Sequence, residues 1–76
     1  SRGLGDVYKR QALNTVCIKC FPGMAMAVCT AIESMEWSGV VGAISGDDTI
    51  FVLCKTGEFA KIFTMNMEKI LNVKNT

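Results

Sequence analysis

The chain has 76 residues, half of them hydrophobic, with four cysteines, no histidine and a formal net charge of +1. This length allows one small domain, and a domain so small buries only a modest share of its surface when it folds alone. Scattered lysines and arginines leave no basic patch of the kind that holds DNA, no run reaches the roughly 20 apolar residues of a membrane helix, and no apolar signal-peptide core stands at the N-terminus.

Residues 1–11 differ from the rest: they are polar, contain glycine and show weak periodicity. They read as a non-native or disordered tail without a functional role, and the domain proper is expected over 12–76. Its first element is a β-rich run over 14–20. Within it, Cys17-Ile18-Lys19-Cys20 has a spacing that zinc and redox sites use. On a strand, however, positions three apart face opposite ways, so these two thiols are poorly placed to share a metal or close a disulfide. There is no second such pair. The cysteines are expected to be small apolar side chains in a reducing cytosol. With disulfides and metal set aside, a partner subunit is the remaining way for so apolar a small chain to bury its surface.

Phe21-Pro22-Gly23 breaks the strand, because proline and glycine together mark a turn. A helix follows over 24–36, with Val28, Ala31, Ile32 and Met35 spaced as an apolar stripe for packing on a sheet. Met26, Thr30 and Glu33 share a second face of mixed polarity, suited to a ligand or a neighbouring subunit. Trp37 is expected to anchor the helix end by packing. Strands at 40–45 and 50–54 flank the turn Gly46-Asp47-Asp48-Thr49 and form a hairpin. Thr56 is placed to cap a second helix over 58–72, whose inner side carries Phe59, Ile62, Phe63, Met67, Ile70 and Leu71.

The order β-α-β-β-α predicts an α+β two-layer sandwich, an antiparallel sheet with two helices on one face. Ile50-Phe51-Val52-Leu53-Cys54 is apolar without alternation, a sign of burial on both faces. Two helices cover one face only. The other face is left for a second subunit, or stands exposed as an apolar patch.

The turn at Gly46-Asp47-Asp48-Thr49 holds the concentrated charge of an otherwise apolar region. Taken alone, Gly-Asp-Asp is ordinary turn chemistry on a solvated hairpin. At an interface, two adjacent carboxylates would want a cation between them, and a planar guanidinium matches a carboxylate with two parallel hydrogen bonds. Magnesium or calcium would need more oxygen ligands than the neighbourhood offers. Without histidine, no Cys-His or Ser-His pair forms within one chain. Adjacent aspartates also diverge, unlike the facing carboxylates of acid–base hydrolysis. No catalytic residue and no metal ligand is expected.

Three stretches carry a resemblance: Pro22-Gly23 opening a helix, Ile32-Glu33-Ser34-Met35-Glu36-Trp37, and Gly42-Ala43-Ile44-Ser45-Gly46-Asp47-Asp48-Thr49-Ile50. Together they resemble the C-terminal domain of the bacterial arginine repressor, over residues 14–71, with Gly-x-Ile-x-Gly-Asp-Asp-Thr as the most specific stretch. The resemblance implies a DCoH-like fold in a cytoplasmic regulator of arginine metabolism, assembled as a homo-hexamer of two stacked trimers. It implies L-arginine as effector, bound between the trimers, and no other cofactor. Asp47 and Asp48 would engage the guanidinium, partly across the trimer boundary. Glu33 would help hold the amino-acid end of the ligand, and Ser45 would contribute through its backbone. Operator DNA would be a partner only through a separate N-terminal winged-helix domain, which this sequence lacks; no membrane partner is implied.

The chain departs from the family pattern in four respects. Glu33 stands where aspartate is usual, Met26 where a polar side chain is common, and Ala43 where threonine is frequent. These changes touch the amino-acid end of the ligand and leave the guanidinium end intact. The fourth departure is the family's first strand, which is missing or replaced by residues 1–11; whether 6–10 can pair as a substitute is open. Two other readings remain: a pure oligomerisation module that assembles without ligand, favoured by Met26 and Ala43, and a small enzyme using the aspartate pair.

Overall fold

The computed structural model describes the backbone of residues 8–71 and 74–75, and the side chains of 11–69. In chain order the elements are β1 (Tyr8–Ala12), β2 (Thr15–Lys19), α1 (Ala25–Glu33), β3 (Val40–Ser45), β4 (Thr49–Cys54), α2 (Gly57–Leu71) and β5 (Lys74–Asn75). The sheet runs β3-β4-β2-β1-β5. Its first four strands are antiparallel, and the short β5 lies parallel to β1. The α+β two-layer architecture expected from the sequence is the one observed. No helix among the described residues is long and apolar enough to cross a membrane.

The largest difference lies at the start. The first strand, expected to be missing or replaced, is present: all five residues of β1 pair with β2, from Tyr8 opposite Lys19 to Ala12 opposite Thr15. Residues 8–11 therefore leave the predicted tail, while 1–7 lie outside the described residues. The reason is that a ladder is built from backbone N–H and C=O groups, so a polar Tyr-Lys-Arg-Gln segment can pair without an apolar signature. The connection is a tight Leu13-Asn14 turn in which Leu13 takes a φ of 57°. Asn14 fastens this turn to the far end of β4, its Nδ2 donating to the Cys54 carbonyl at 3.0 Å.

One core joins the sheet to both helices. Val16 and Ile18 of β2 and Ile50, Val52 and Cys54 of β4 meet Ala25, Val28, Cys29 and Ile32 of α1 and Ala60, Phe63 and Met67 of α2. Two helix faces differ from the expected stripes. Helix α1 ends at Glu33: Ser34 still gives its N–H to the Thr30 carbonyl in the helical manner, but the Met35 N–H bonds one residue closer, to the Ile32 carbonyl, and the Ser34 hydroxyl takes the Ala31 carbonyl. Met35 thus falls beyond the helix and is exposed, Ala31 is half-buried, and Ala25 and Cys29 take the inner places instead. In α2, Ile62 is exposed while Ala60 and Thr64 turn inward; the predicted inner residues Ile70 and Leu71 have side chains outside the described residues. Thr56 caps α2 as expected, accepting the Phe59 N–H at 3.2 Å. Trp37 is the anchor foreseen for it: its ring meets Phe63 edge-on at 4.8 Å, and its indole N–H donates to the Ile32 carbonyl.

Neither helix among the described residues covers the far side of the sheet. In β4, burial alternates, with Ile50, Val52 and Cys54 inside and Phe51 49% exposed. Phe51 and Leu53 share this open face with Cys17 and Thr15 of β2, their register partners. Ile44 of β3, opposite Phe51, is 70% exposed. A shallow concavity there is lined by Thr15, Val41, Ala43, Ile44, Phe51 and Leu53, among others. The two cysteines of the Cys-x-x-Cys stretch sit as their strand spacing requires: Cys17 on the open face, Cys20 in the helix-side core. Between Val40 and Gly42 the β3–β4 register slips by one residue, a bulge that leaves Val41 exposed.

Gly39 closes the link between α1 and β3 with a φ of +81°, and an added Cβ would fall 2.2 Å from the Phe59 ring. Neither the backbone nor the aromatic neighbour tolerates a side chain. Gly39→Ala is expected to lower stability by about 2 kcal/mol or more, read as a drop in the urea midpoint with an unchanged denaturant slope.

Candidate functional site

The six residues singled out by sequence lie on α1, β3 and the β3–β4 turn. That turn is docked by its backbone on the corner where β2 leads into α1. The Asp48 carbonyl accepts the Cys20 N–H at 2.7 Å, and the Asp47 carbonyl accepts the N–H groups of Gly23 and Ala25 at 3.0 and 3.3 Å. Within the turn, the Gly46 N–H donates to the Thr49 carbonyl at 2.8 Å. The corner itself follows from Pro22-Gly23: Gly23 takes a φ of +85°, and the Met24 N–H closes back onto the Phe21 carbonyl. Met24, the residue before the helix, supplies no side-chain cap. The Asp47 carbonyl satisfies the first-turn donor of Ala25 in its place.

With both carbonyls directed at the corner, the two carboxylates face solvent. Asp47 is exposed and Asp48 half-exposed. Asp48 is held on two sides. The Thr49 hydroxyl donates to its Oδ1 at 2.8 Å, and the Lys19 ammonium stands 3.6 Å from its Oδ2. Lys19 also donates to the Thr49 Oγ1 at 2.8 Å. The Thr49 hydrogen bond, chiefly, and the Lys19 charge hold the Asp48 carboxyl below the usual carboxylate range, against a smaller opposing effect of desolvation. Asp48 is therefore a fixed anion at neutral pH. Lys19 and Thr49 escaped the sequence reading as partners because their contact depends on the β2–β4 register, in which Lys19 stands opposite Thr49.

The other four residues are spread along α1 and β3. Met26 and Glu33 sit at the two ends of α1 on its outer face, seven positions and hence roughly 10 Å apart along the axis. Met26 is 71% exposed. Glu33 lines a groove of about 280 Å³ with Ala43, Ile32, Met35, Trp37 and Val40. Ser45, exposed at the end of β3, lies beside the Cys29 thiol. Within one chain, Glu33 and Ala43 share a groove, while the carboxylates of Asp47 and Asp48 lie outside it, by the other end of α1. Burial, above all, pushes the thiols of Cys20, Cys29 and Cys54 up, so at neutral pH these behave as apolar core side chains.

Because the folded carboxyl of Asp48 is depressed, its contribution to stability is present above the ordinary carboxylate range and is lost as pH falls through the folded value. Thr49→Val removes the leading cause. The side-chain carboxyl resonance of Asp48 is expected to titrate at higher pH in that variant than in the parent, and an unchanged midpoint would show that the hydroxyl does not hold the anion.

The chain matches the family described as "Arginine repressor, C-terminal domain" over residues 7–69. It is similar to the arginine repressor of Lachnospira eligens, with 42% identity over 67 residues, 88% of this chain and 44% of that protein. It is also similar to those of Acetivibrio thermocellus (42% identity, 78% of this chain and 39% of that protein) and Clostridium botulinum strain Loch Maree (44% identity, 75% and 38%). The chain thus spans less than half the length of these relatives. The match starts inside the segment first taken for a tail and takes in β1, the Pro22-Gly23 corner and the Gly-Asp-Asp turn, and on this ground the chain belongs to the arginine repressor C-terminal domain family.

Proposed function

We propose that this domain senses L-arginine and holds together a homo-oligomer, a trimer that pairs into a hexamer, in a cytoplasmic regulator of arginine metabolism. The observation that carries this reading is the Gly-Asp-Asp turn: one carboxylate fixed as an anion and one exposed, beside the start of α1, in a member of this family. Asp47 and Asp48 receive the guanidinium, whose forked donors suit a carboxylate. Glu33 and the backbone at Ser45 orient the amino-acid end, with Met26 and Ala43 as its apolar surroundings. In one chain Glu33 and Ala43 share a groove that excludes the aspartates, while Met26 lies at the aspartates' end of α1, so a single ligand reaches all these contacts when a second subunit supplies some of them. Operator DNA is contacted through a domain other than this one. The role is regulatory rather than enzymatic.

The open sheet face suits the assembly half of the role. Val41, Ile44, Phe51 and Leu53 leave an apolar surface that neither described helix covers, and burial of such area drives association. A ligand bound between subunits then stabilises the assembled state by its preference for that state.

Sedimentation velocity at low micromolar protein, with and without L-arginine, tests the proposal. Arginine is expected to move trimers towards hexamers, and Asp48→Asn to abolish the shift. Ile44→Asp is expected to yield monomers in either condition. Hexamers indifferent to arginine would instead support a scaffold that assembles without ligand, a reading favoured by the apolar, exposed Met26.

Glu33, Met26 and Ala43 all alter the amino-acid end. Arginine binding is therefore expected to be weak, yet selective for the guanidinium. A calorimetric titration in which lysine binds as tightly as arginine would remove Asp47 and Asp48 from the recognition role.

A further inference from the structure

The aspartate pair is not empty of cations in the free chain. Lys19, at the end of β2, reaches across the sheet so that its ammonium lies 3.6 Å from Asp48 Oδ2 and donates to Thr49 Oγ1 at 2.8 Å. The Thr49 hydroxyl in turn donates to Asp48 Oδ1. The result is a closed triangle in which Asp48 already has a counter-ion. Among the described residues, Asp47 takes no such cation.

We propose that Lys19 is a specificity-determining residue of the arginine site, a built-in competitor for the ligand's cationic end at Asp48. This rests on the arginine-sensing reading above and extends it. The two aspartates and Lys19 together carry one net negative charge, so one guanidinium neutralises the cluster. Removing Lys19 leaves two negative charges to attract any cation.

Competition of this kind discriminates by shape. An ammonium is a compact point charge on a flexible stem, whereas a guanidinium presents a rigid fork that can engage both oxygens of a carboxylate. A ligand ammonium arriving at Asp48 exchanges like for like and gains little over Lys19. A guanidinium gains its second parallel hydrogen bond. Lys19 is itself half-exposed, so its ammonium can swing into water when displaced.

The test is calorimetric titration of the full chain with L-arginine and with L-lysine, for the parent, Lys19→Met and Lys19→Arg. Lys19→Met keeps the apolar stem and removes the charge. It is expected to bind arginine about two- to fivefold tighter, the scale of an exposed ion pair, and to gain more for lysine, so that the preference for arginine narrows. Lys19→Arg restores the charge and is expected to bring arginine affinity back below that of Lys19→Met. Where Lys19→Met fails to fold by circular dichroism, Lys19→Gln replaces it. If the parent binds arginine and the neutral variant binds it equally or less tightly, the proposal is overturned and the sensing role survives; a loss would place Lys19 on the ligand's carboxylate. If the parent is silent but the neutral variant binds arginine, the competitor role stands in its strongest form. If neither binds, the sensing reading fails and this inference falls with it.

Discussion

The three backbone hydrogen bonds that dock the Gly-Asp-Asp turn on the β2–α1 corner hold the candidate site together. Asp47 and Asp48 give their carbonyls to Cys20, Gly23 and Ala25, tying the tip of one hairpin to the exit of another strand and the first turn of a helix. A helix that starts without a side-chain cap leaves amide donors unsatisfied, and here the turn meets one of those needs. The same bonds turn both carboxylates outward. Anion placement and helix initiation are thus two results of one contact.

The sheet between these parts is two-sided in an unusual way for so small a domain. Val16, Ile18, Ile50 and Val52 are fully buried under the helices, while Phe51, Leu53 and Ile44 present nearly as apolar a surface to the other side. Alternation along β4 would normally give a polar outer face. In the proposed oligomer a partner subunit would bury this face, adding to a domain whose length gives it little apolar burial of its own to offset the entropy of ordering its residues.

Much of the fold was legible because its signals are local. Pro22-Gly23, the hairpin turn, the Thr56 cap and the helical spacing each announce an element within a few residues. Strand β1 was not legible, since Tyr8 to Gln11 carry no apolar alternation; its backbone pairs with β2, and the Gln11 amide adds bonds to the Leu13 and Gly57 carbonyls. The inner face of α1 differs from the expected stripe because the last turn tightens at Met35, whose N–H bonds three residues back rather than four. At the candidate site, the residue types were visible in the sequence, but their arrangement was not. Lys19 and Thr49 meet through a register that joins positions 30 residues apart. The separation of Glu33 and Ala43 from the aspartates likewise depends on the depth of the groove beside α1, which no spacing encodes.

The bulge at Val41 bears on what shape an assembly can take. Strand β3 is the outermost strand of the described sheet on its side, and an unbroken edge there would offer its free amides and carbonyls to any passing chain. The register slip between Val40 and Gly42 interrupts that template and twists it locally. Strand-on-strand addition, which can repeat without limit, is thereby discouraged, which leaves the apolar face for the contacts of the proposed oligomer. Face-to-face contact about a rotation axis closes on itself after a few copies. In the proposed oligomer, a one-residue irregularity at the rim would thus favour a countable particle over a fibre.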